Sequence, residues 1–373
     1  MHRVNRRIFL HSQTSCINQP RSPAQSPRRA DERGRGRQRG KAAMMKQRMV
    51  MMMAALIMLS GAVQAKTYKI GMVRWAGYSP ANVADAKGMW KAAGLDVAIF
   101  MLNGNADVHQ ALAQKRIDFA VDITGFWADF FMNGIPVTVL AEIDWSNGGD
   151  KILLRKGVDP ASLKGKIVGT YDMTSASLLM VHKYLSTLGL KVSDVKRVEF
   201  PAEDMPEDFL ATQMPMAVCY DPYALKIEQA GAADVVASSA MYPGSIADSI
   251  VMLTEVLNAT PREDVVKFLR GWADAVAWLE NPANWTEYAA ILNQKTFEAN
   301  PPMSDAELRQ VLSGVRIHNA NALRINHQPG GSVFTYCKEL RDVLAENQAL
   351  KKEFTPEDLV DASFLLEALS PQE

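Results

Sequence analysis

The sequence predicts an α/β fold made of two units of alternating strands and helices, followed by a helical tail. Short apolar runs alternate with segments whose apolar residues recur at helical spacing. This alternation occurs on both sides of a polar, glycine-containing break at 144–150. Helix-capping patterns replace the strand pattern towards the carboxyl end. Such an order is typical of mostly parallel sheets covered by helices on both faces.

The first 65 residues are predicted to lie outside this fold. Residues 1–43 are rich in Arg, Pro, Gly and Ser without apolar periodicity, so we interpret them as a disordered or non-native leader. A second start at Met44 or Met45 is followed by basic residues, an apolar run at 49–59 and small residues that end at Ala65. This pattern is typical of a secretory signal peptide over 44–65, cleaved after Ala65, and it predicts a periplasmic protein.

Removing that leader changes the charge of the chain. The whole chain holds 41 basic and 41 acidic residues, and the first 65 residues hold 13 and 2 of them. The remaining 308 residues therefore carry 28 basic and 39 acidic residues, a net charge of −11. This acidity excludes a basic nucleic-acid binder, so no nucleic-acid partner is expected. A length of 308 residues is sufficient for two domains.

The first unit begins directly after the leader. Its strands are predicted from short apolar runs at 68–73, 97–102, 117–121 and 137–143. Its helices are predicted from apolar residues at helical spacing, over 80–94, from Asn105 through Leu112, and over 124–132.

The second unit and the tail follow the break. Strands are predicted at 151–154, 167–170, 195–200, 217–219, 235–237 and 250–254. Helices of the second unit are predicted over 174–188, 204–212 and 222–230. Tail helices are predicted after the cap residues Thr260 and Ser304 and over 335–346 and 355–369.

The chain is predicted to cross between the two units twice, near 145–155 and near 240–250. We expect lobe 1 to comprise 66–150 plus 246–373, and lobe 2 to comprise 151–245. Two lobes joined by a two-segment hinge would close on a ligand like a clamshell.

Ligands of open α/β sheets bind beyond the carboxyl ends of the strands, so the loops there form the candidate site. Trp75 and Tyr78 follow the first strand and are predicted to be aromatic walls of a pocket. The alternative is a small core beneath a long loop. Arg74 beside them would pair with an anionic ligand or make an ion pair within the lobe.

Polar residues follow the later strands of the first unit. Asn105 after the second strand and Asp144 after the fourth are candidate ligand contacts. Asp122 ends the third strand and is a candidate to orient a ligand's donor. Alternatively, Asp122 or Thr124 caps the helix that begins there.

The second unit has two strand-to-helix junctions of interest. Thr174 and Ser175 open a helix, where hydroxyls and free backbone N–H groups favour an anion or a carbonyl. Capping alone explains one of these hydroxyls. Tyr220 and Asp221 stand at the other junction, where Asp221 caps the following helix, faces the cleft, or does both.

The sequence contains no recognisable catalytic set. It has no G-x-S-x-G, no H-E-x-x-H, no P-loop and no dinucleotide-binding glycine motif after a strand. Cys219 and Cys337 lie 118 positions apart, and the His residues are scattered. We therefore expect no catalytic residues, no metal site and no cofactor. A disulfide between the two Cys is compatible with an oxidising compartment, but nothing in the sequence indicates one.

Five segments together resemble a known family. They are Trp75–Pro80, Ser146–Asp150, Leu163–Lys166, Tyr220–Tyr223 and Ser238–Asp248, in this order within 66–280. The set resembles the nitrate/sulfonate/taurine-type solute-binding proteins of ABC importers. The resemblance implies a type II periplasmic binding fold, with two lobes, a hinge and a ligand cleft between them. It also implies a small-molecule ligand and, as partners, the permease and ATPase of an importer, with peripheral contact to the membrane permease only.

The chain departs from this family at one landmark. The family usually has Trp-Glu-Pro where this chain has Tyr220-Asp221-Pro222, which puts the reach of the pocket in doubt. The superfamily also includes the pyrimidine synthases of thiamin biosynthesis, which need a Cys-rich metal-binding motif and an active-site His. This chain has no Cys cluster, so their activity is not carried over.

The candidate loops contain many aromatic and acidic residues against one cation, Arg74. This composition favours a small organic solute with a donor or a positive nitrogen over a bare inorganic anion. A sulfonate/taurine-like or a pyrimidine/amine-like solute would fit. The sequence therefore predicts the substrate-binding component of an ABC importer. The alternatives are a periplasmic receptor that serves a sensor and, less favoured, an enzyme like the thiamin-pyrimidine synthases.

Overall fold

The computed structural model describes residues 66–171 and 175–371. The predicted leader, the predicted signal peptide and Thr174 lie outside these residues. In the part that is described, no helix combines the length and apolar character that a membrane crossing requires.

The strands of the described ranges form two sheets. They are β1 Thr67–Met72, β2 Asp96–Met101, β3 Phe119–Ile123, β4 Val137–Ser146, β5 Asp150–Arg155, β6 Ile167–Thr170, β7 Lys196–Glu199, β8 Met216–Tyr220, β9 Ala233–Ser238, β10 Ala247–Leu253 and β11 Val315–Ile317. Sheet A has the order β11-β4-β10-β3-β1-β2, and sheet B has the order β7-β6-β8-β5-β9. Every strand predicted from the sequence is present, with shifts at some ends. The three-residue β11 was not predicted.

The α-helices of the described ranges surround these sheets. They are α1 Ser79–Ala86, α2 Met89–Ala92, α3 Asn105–Ala113, α4 Thr124–Met132, α5 Leu178–Thr187, α6 Met205–Ala211, α7 Tyr223–Gln229, α8 Thr254–Ala259, α9 Arg262–Leu279, α10 Trp285–Ile291, α11 Asp305–Ser313, α12 Ala320–Asn326, α13 Ser332–Glu346, α14 Pro356–Leu359 and α15 Ser363–Ala368.

Three helix predictions need correction. The helix predicted over 355–369 is divided into α14 and α15, because Val360 between them has extended backbone and bridges to Val139 of β4. The helix predicted over 80–94 is broken into α1 and α2 at Gly88, whose φ of 64° lies in the left-handed region that favours glycine. The helix predicted to start at Thr174 begins at Leu178, so Ser175 precedes it. The capping box predicted at Ser304 is present, because its hydroxyl accepts from the backbone N–H of Glu307.

The sheets are mixed, so the prediction of mostly parallel sheets was wrong. β1 pairs in parallel with β2 and β3, and β6 pairs in parallel with β7 and β8. However, β10 runs antiparallel to β3 and β4, and β5 runs antiparallel to β8 and β9. The reason is the chain path: β5 enters sheet B directly from sheet A, and β10 returns directly to sheet A. The predicted lobe bounds stay a prediction.

An aromatic stack joins α9 to sheet A. The ring of Phe268 lies between Phe119, at a centroid distance of 3.8 Å, and Trp90, at 5.0 Å, with interplanar angles of 6° and 7°. The indole N–H of Trp90 donates to the backbone oxygen of Phe268 at 2.9 Å. A Cβ atom at Gly271 would lie 2.4 Å from the indole ring, so glycine allows α9 to approach Trp90. This stack fixes the tail helix against the sheet that positions the candidate site.

Candidate functional site

A small buried pocket lies where loops and strand ends of both sheets meet, and we call it the inner pocket. It has a cavity volume of about 30 Å³. Its walls are aromatic, aliphatic and acidic. They are formed by Val73, Trp75, Tyr78, Asn105, Asp122, Ile123, Asp150, Tyr171, Tyr220, Ile246 and Asp248. Five of the predicted site residues therefore come together here, namely Trp75, Tyr78, Asn105, Asp122 and Tyr220. Their role in ligand binding stays a prediction.

A larger cavity of about 320 Å³ shares four wall residues with the inner pocket, and we call it the vestibule. The shared residues are Val73, Asn105, Tyr171 and Tyr220. The other walls are more polar. They are Arg74, Leu102, Asn103, Gly104, Ala106, Asp107, Glu199, Pro201, Ala202, Glu203 and Tyr223.

Trp75 is the wall residue that contacts both sides of the inner pocket. Its indole N–H donates to Asp144 Oδ1 at 3.2 Å. Its ring meets that of Tyr220 edge-on, with centroids 6.3 Å apart and an interplanar angle of 85°. Gly149 packs against the same indole, because a Cβ atom there would lie 2.6 Å from the ring and 2.8 Å from the carbonyl oxygen of Gly314. Gly149, in the segment between β4 and β5, thus leaves room for the indole of Trp75.

Asp122 is fully buried, and its carboxylate contacts three neighbouring groups. Its Oδ1 accepts from Asn105 Nδ2 at 2.6 Å and from the backbone N–H of Ile123 at 2.8 Å. Its Oδ2 lies 3.0 Å from His109 Nε2. Neither Asp122 nor Thr124 caps α4, so the capping alternative is not realised. The carboxylate is instead fixed in the pocket wall.

Three other predicted site residues make contacts outside the inner pocket. The guanidinium of Arg74 forms an ion pair with Glu298, which is the alternative that the sequence left open, and its side chain lines the vestibule. The hydroxyl of Thr124 donates to Ser249 Oγ at 3.0 Å and is buried outside the inner pocket. Asp144 lies behind Trp75 and is also buried. Long-range partners that the sequence pattern does not reveal account for all three placements.

Asp221 belongs to an ion-pair group at the edge of sheet B. Its Oδ1 accepts from Lys151 Nζ at 2.9 Å, and the same ammonium donates to Glu228 at 2.6 Å. Asp221 is therefore engaged by Lys151 and is not among the residues that line the inner pocket.

Ser175 forms a contact between the two halves of the molecule. Its backbone N–H donates to Asp129 Oδ2 at 2.8 Å, and its hydroxyl donates to Asp129 Oδ1 at 2.9 Å. Asp129 lies on α4, which follows β3 of sheet A, whereas Ser175 follows β6 of sheet B. Gly125 of α4 comes so close that a Cβ atom would lie 2.6 Å from the carbonyl oxygen of Ser175. We call this contact the α4 latch.

Removing the α4 latch is expected to weaken solute binding. Because Asp129 makes two charge-assisted hydrogen bonds that join the parts built around the two sheets, Asp129→Ala should reduce the affinity for a solute about 10-fold by destabilising the closed form that the sequence predicts. Calorimetric titration with the solute that the protein carries would measure this. Asp342→Ala is the matched control, since Asp342 is exposed and pairs with its neighbour Arg341. Equal affinities of both variants and the wild type would contradict a role of the latch in closure.

Asp248 is one of six wall residues of the inner pocket that the sequence did not single out, the others being Val73, Ile123, Asp150, Tyr171 and Ile246. It lies within β10 and is 2% exposed, and it faces the inner pocket with Asp122 and Asp150. Its carboxyl group forms a hydrogen bond with that of Asp144, which requires a proton on one of them. Burial, together with the repulsion between the two groups, raises the pKa of Asp248 well above its usual range. The sequence signal that could have identified Asp248 was the segment Ser238–Asp248, which served only as a landmark of the family resemblance.

A second buried polar cluster surrounds Glu142 on β4. Glu142 Oε1 accepts from Trp145 Nε1 at 3.0 Å, from Asn326 Nδ2 at 3.1 Å and from Ser332 Oγ at 2.6 Å. Burial raises the pKa of Glu142 to about 7. Burial lowers the pKa of the neighbouring His318 to about 4, so this ring is neutral at pH 7.

The raised pKa of Glu142 predicts a pH-dependent contribution to stability. The folded state keeps the proton of Glu142 up to about pH 7, whereas the unfolded chain loses it near pH 4.5. Its stabilisation is therefore complete below pH 4.5 and disappears as the pH rises to 7. Relative to the wild type, Glu142→Gln should gain about 1 to 3 kcal/mol in unfolding free energy between pH 4.5 and pH 7.5. Urea titrations at both pH values would measure the difference, and a constant difference would contradict the assignment.

Both described Cys residues are free and buried. Cys219 lies in β8 and Cys337 in α13. In the described part of the chain, no group of three or more His, Cys, Asp or Glu side chains has an arrangement that could hold a metal ion.

Comparison with known proteins identifies the family. The model of the NMT1-like family matches residues 61–293, which is more than half of the chain. A binding protein of Brucella abortus (strain 2308), named without a ligand, is 26% identical over 174 residues. The match covers 45% of this chain and 52% of that protein, so the chain spans about half the length of the curated relatives it matches.

Solved structures share the fold at low identity. The zinc-bound ligand-binding component of an ABC-type import system from Staphylococcus aureus matches with a TM-score of 0.65 and 15% identity, covering 81% of this chain and 99% of that one. The nitrate-binding protein of Synechocystis PCC 6803 matches with a TM-score of 0.63 and 15% identity, covering 82% and 88%. The alkanesulfonate-binding protein of Xanthomonas axonopodis pv. citri, bound to MOPS, gives 0.63 and 15%, covering 80% and 99%. These likenesses confirm the predicted type II periplasmic binding fold, and the chain belongs to the NMT1-like family.

Proposed function

We propose that this protein is the solute-binding component of an ABC importer and that it captures a small organic solute in the inner pocket. The family match and the fold shared with components of import systems support this role. In this proposal the protein supplies no chemistry. It closes on the solute and presents both lobes to the permease, while the ATPase drives transport.

The observation that carries the proposal is the composition of the inner pocket. Asp150, Tyr171 and Tyr220 come from the ends of strands in sheet B, whereas Trp75 and the other walls belong to the part of the chain that builds sheet A. Convergent aromatic and polar side chains from two halves are typical of a ligand site. We assign lobe 1 to 66–150 plus 246–373 and lobe 2 to 151–245. Because both lobes then contribute walls to the inner pocket, solute binding and closure of the lobes occur together.

The predicted site residues that the structure describes divide into three groups under this proposal. Trp75, Tyr78, Asn105, Asp122 and Tyr220 contact the solute, because they line the inner pocket. Arg74 lines the entrance, Asp144 supports Trp75, and Ser175 stabilises closure through Asp129. Thr124 and Asp221 hold their own lobes together.

The proposal places the protein in the periplasm after cleavage behind Ala65. Several of the similar solved structures are periplasmic binding proteins, which supports this location. Amino-terminal sequencing of the protein recovered from the periplasmic fraction should begin at Lys66. A cytoplasmic protein that retains residues 44–65 would contradict the assignment.

Transport in vesicles tests the function itself. The permease and ATPase of the proposed importer would be reconstituted, and the protein would be added together with its radiolabelled solute. We expect ATP-dependent accumulation of the solute only when the protein is present. Tight solute binding without any effect on uptake would instead favour a receptor that serves a sensor.

A further inference from the structure

The inner pocket combines carboxylates with a lack of cations. Asp122 and Asp248 face it, and none of its wall residues, all within the described chain, is Lys, Arg or His. His109 lies behind Asp122 rather than in the wall. The nearby ammonium of Lys151 is engaged by Asp221 and Glu228. Buried carboxylates in such surroundings are costly unless a positive group joins them.

The Asp144–Asp248 pair is a second, independent sign of a missing positive group. Asp144 Oδ2 and Asp248 Oδ1 are buried, and neither receives a hydrogen bond from a donor among the described residues. Asp248 lines the cavity, whereas Asp144 lies behind it. The two carboxyl groups repel each other when both are ionised, and a positive group beside them would relieve that repulsion. A donor on a bound solute would satisfy Asp248 from the cavity side.

The aromatic walls suit a cation as well. Trp75 and Tyr171 both meet Tyr220 edge-on, at centroid distances of 6.3 Å and 5.2 Å. Tyr78 completes the aromatic surface. Rings in this arrangement attract organic cations through their quadrupoles.

The dimensions and charges of the two cavities define the solute further. A cavity volume of about 30 Å³ accommodates a group of about the size of a water molecule, such as a primary ammonium. The vestibule, with about 320 Å³, accommodates the rest of the solute. Its acidic residues are Asp107, Glu199 and Glu203, and its one cation, Arg74, is paired with Glu298. A sulfonate or carboxylate end would therefore be repelled there.

We propose that the solute is an aliphatic organic cation, whose primary ammonium group enters the inner pocket and donates to Asp248 while its remaining chain lies in the vestibule. This inference rests on the proposed capture function and names its substrate class. Of the two solute classes that the sequence predicts, it favours the pyrimidine/amine-like class over the sulfonate/taurine-like class.

Proton release should accompany binding. The ammonium group replaces the proton that Asp144 and Asp248 share, so binding releases that proton and strengthens as the pH rises. The raised pKa of Asp248 agrees with this direction. The other titratable groups around the pair are Tyr78, Asp122, Glu142, Asp150 and Tyr220.

The experiment compares probes that differ in charge at similar length. Protein purified from the full chain would be unfolded, dialysed free of carried solute and refolded. It would then be titrated by calorimetry with putrescine, butylamine, taurine and methanesulfonate. We expect putrescine to bind most tightly and methanesulfonate not to bind. The affinity for putrescine should rise by up to about 10-fold between pH 6 and pH 7, with proton release seen in buffers of different ionisation enthalpy.

Asp248→Asn tests the contact itself. This variant should bind putrescine about 30-fold more weakly and lose most of the proton release. Asp342→Asn, on the exposed face of α13, is the matched control and should match the wild type. If Asp248→Asn does not fold, the pH profile of the wild type still decides.

Three outcomes would overturn the inference. Tighter binding of taurine or methanesulfonate than of either amine would reject the cation and leave the capture function intact. Amine binding that is independent of pH and unaffected by Asp248→Asn would reject the contact with Asp248. If none of the four probes binds and the protein as purified carries no solute, the inference and the capture function both fail.

Discussion

Trp75→Ala is expected to weaken solute binding about 100-fold, the largest effect on binding of any wall residue. Its indole ring forms a wall of the inner pocket, meets Tyr220 from the other half and donates to Asp144. Alanine removes the wall and the contact between halves, and it leaves a buried carboxyl oxygen of Asp144 without that donor. Calorimetric titration with the carried solute would measure the loss.

Two variants separate the causes of this effect. Trp75→Phe keeps a ring but loses the N–H group, so we expect its solute affinity to lie between that of Trp75→Ala and that of the wild type. Trp278→Ala removes a partly exposed tryptophan of α9 that lies outside the inner pocket, and its affinity should match the wild type. If Trp75→Ala instead unfolds the protein while the residual folded fraction binds normally, Trp75 belongs to a small core beneath the loop and not to the site.

Phe268→Ala is expected to lower the free energy of unfolding by about 3 to 5 kcal/mol. The ring is fully buried between Trp90 and Phe119, so its removal leaves a cavity lined by two flat rings that cannot close it. Urea denaturation at constant pH would measure the change. The solute affinity of the folded protein should stay unchanged, because the stack lies outside the inner pocket.

An exposed aliphatic residue provides the control for this stability effect. Ile325 on α12 is 58% exposed, so Ile325→Ala should change the free energy of unfolding by less than about 0.5 kcal/mol. If Phe268→Ala lost less free energy of unfolding than Ile325→Ala, the stack would not anchor α9 to sheet A.

Local patterns predicted the elements well because local physics determines them. The run at 167–170 is a strand with the same ends in the structure, although Ile167 at its start is exposed and only the three residues after it are buried. The pairing of strands was harder to predict, because the sense of β5 and β10 depends on where the chain crosses between sheets. Gly88 ended α1 early, and only its left-handed conformation distinguishes it from a glycine within a helix.

The site was predicted in part for a similar reason. Trp75 and Tyr220 were predicted because strand ends are where α/β folds bind ligands, and both line the inner pocket. The anion-binding interpretations of Arg74 and Ser175 did not anticipate their partners, Glu298 and Asp129, which lie 224 and 46 positions away in the sequence. Asp248 was missed because the apolar run predicted a strand only from residue 250, whereas the strand begins at Ala247 and includes Asp248.

Native mass spectrometry of the protein as purified, before any refolding, tests the central claim of solute capture most directly. We predict one small organic solute per chain in the wild type, released on unfolding, and its loss from Trp75→Ala but not from Trp278→Ala. A solute retained at full occupancy by Trp75→Ala would contradict capture in the inner pocket. So would a wild-type protein that carries no solute and takes up none on titration.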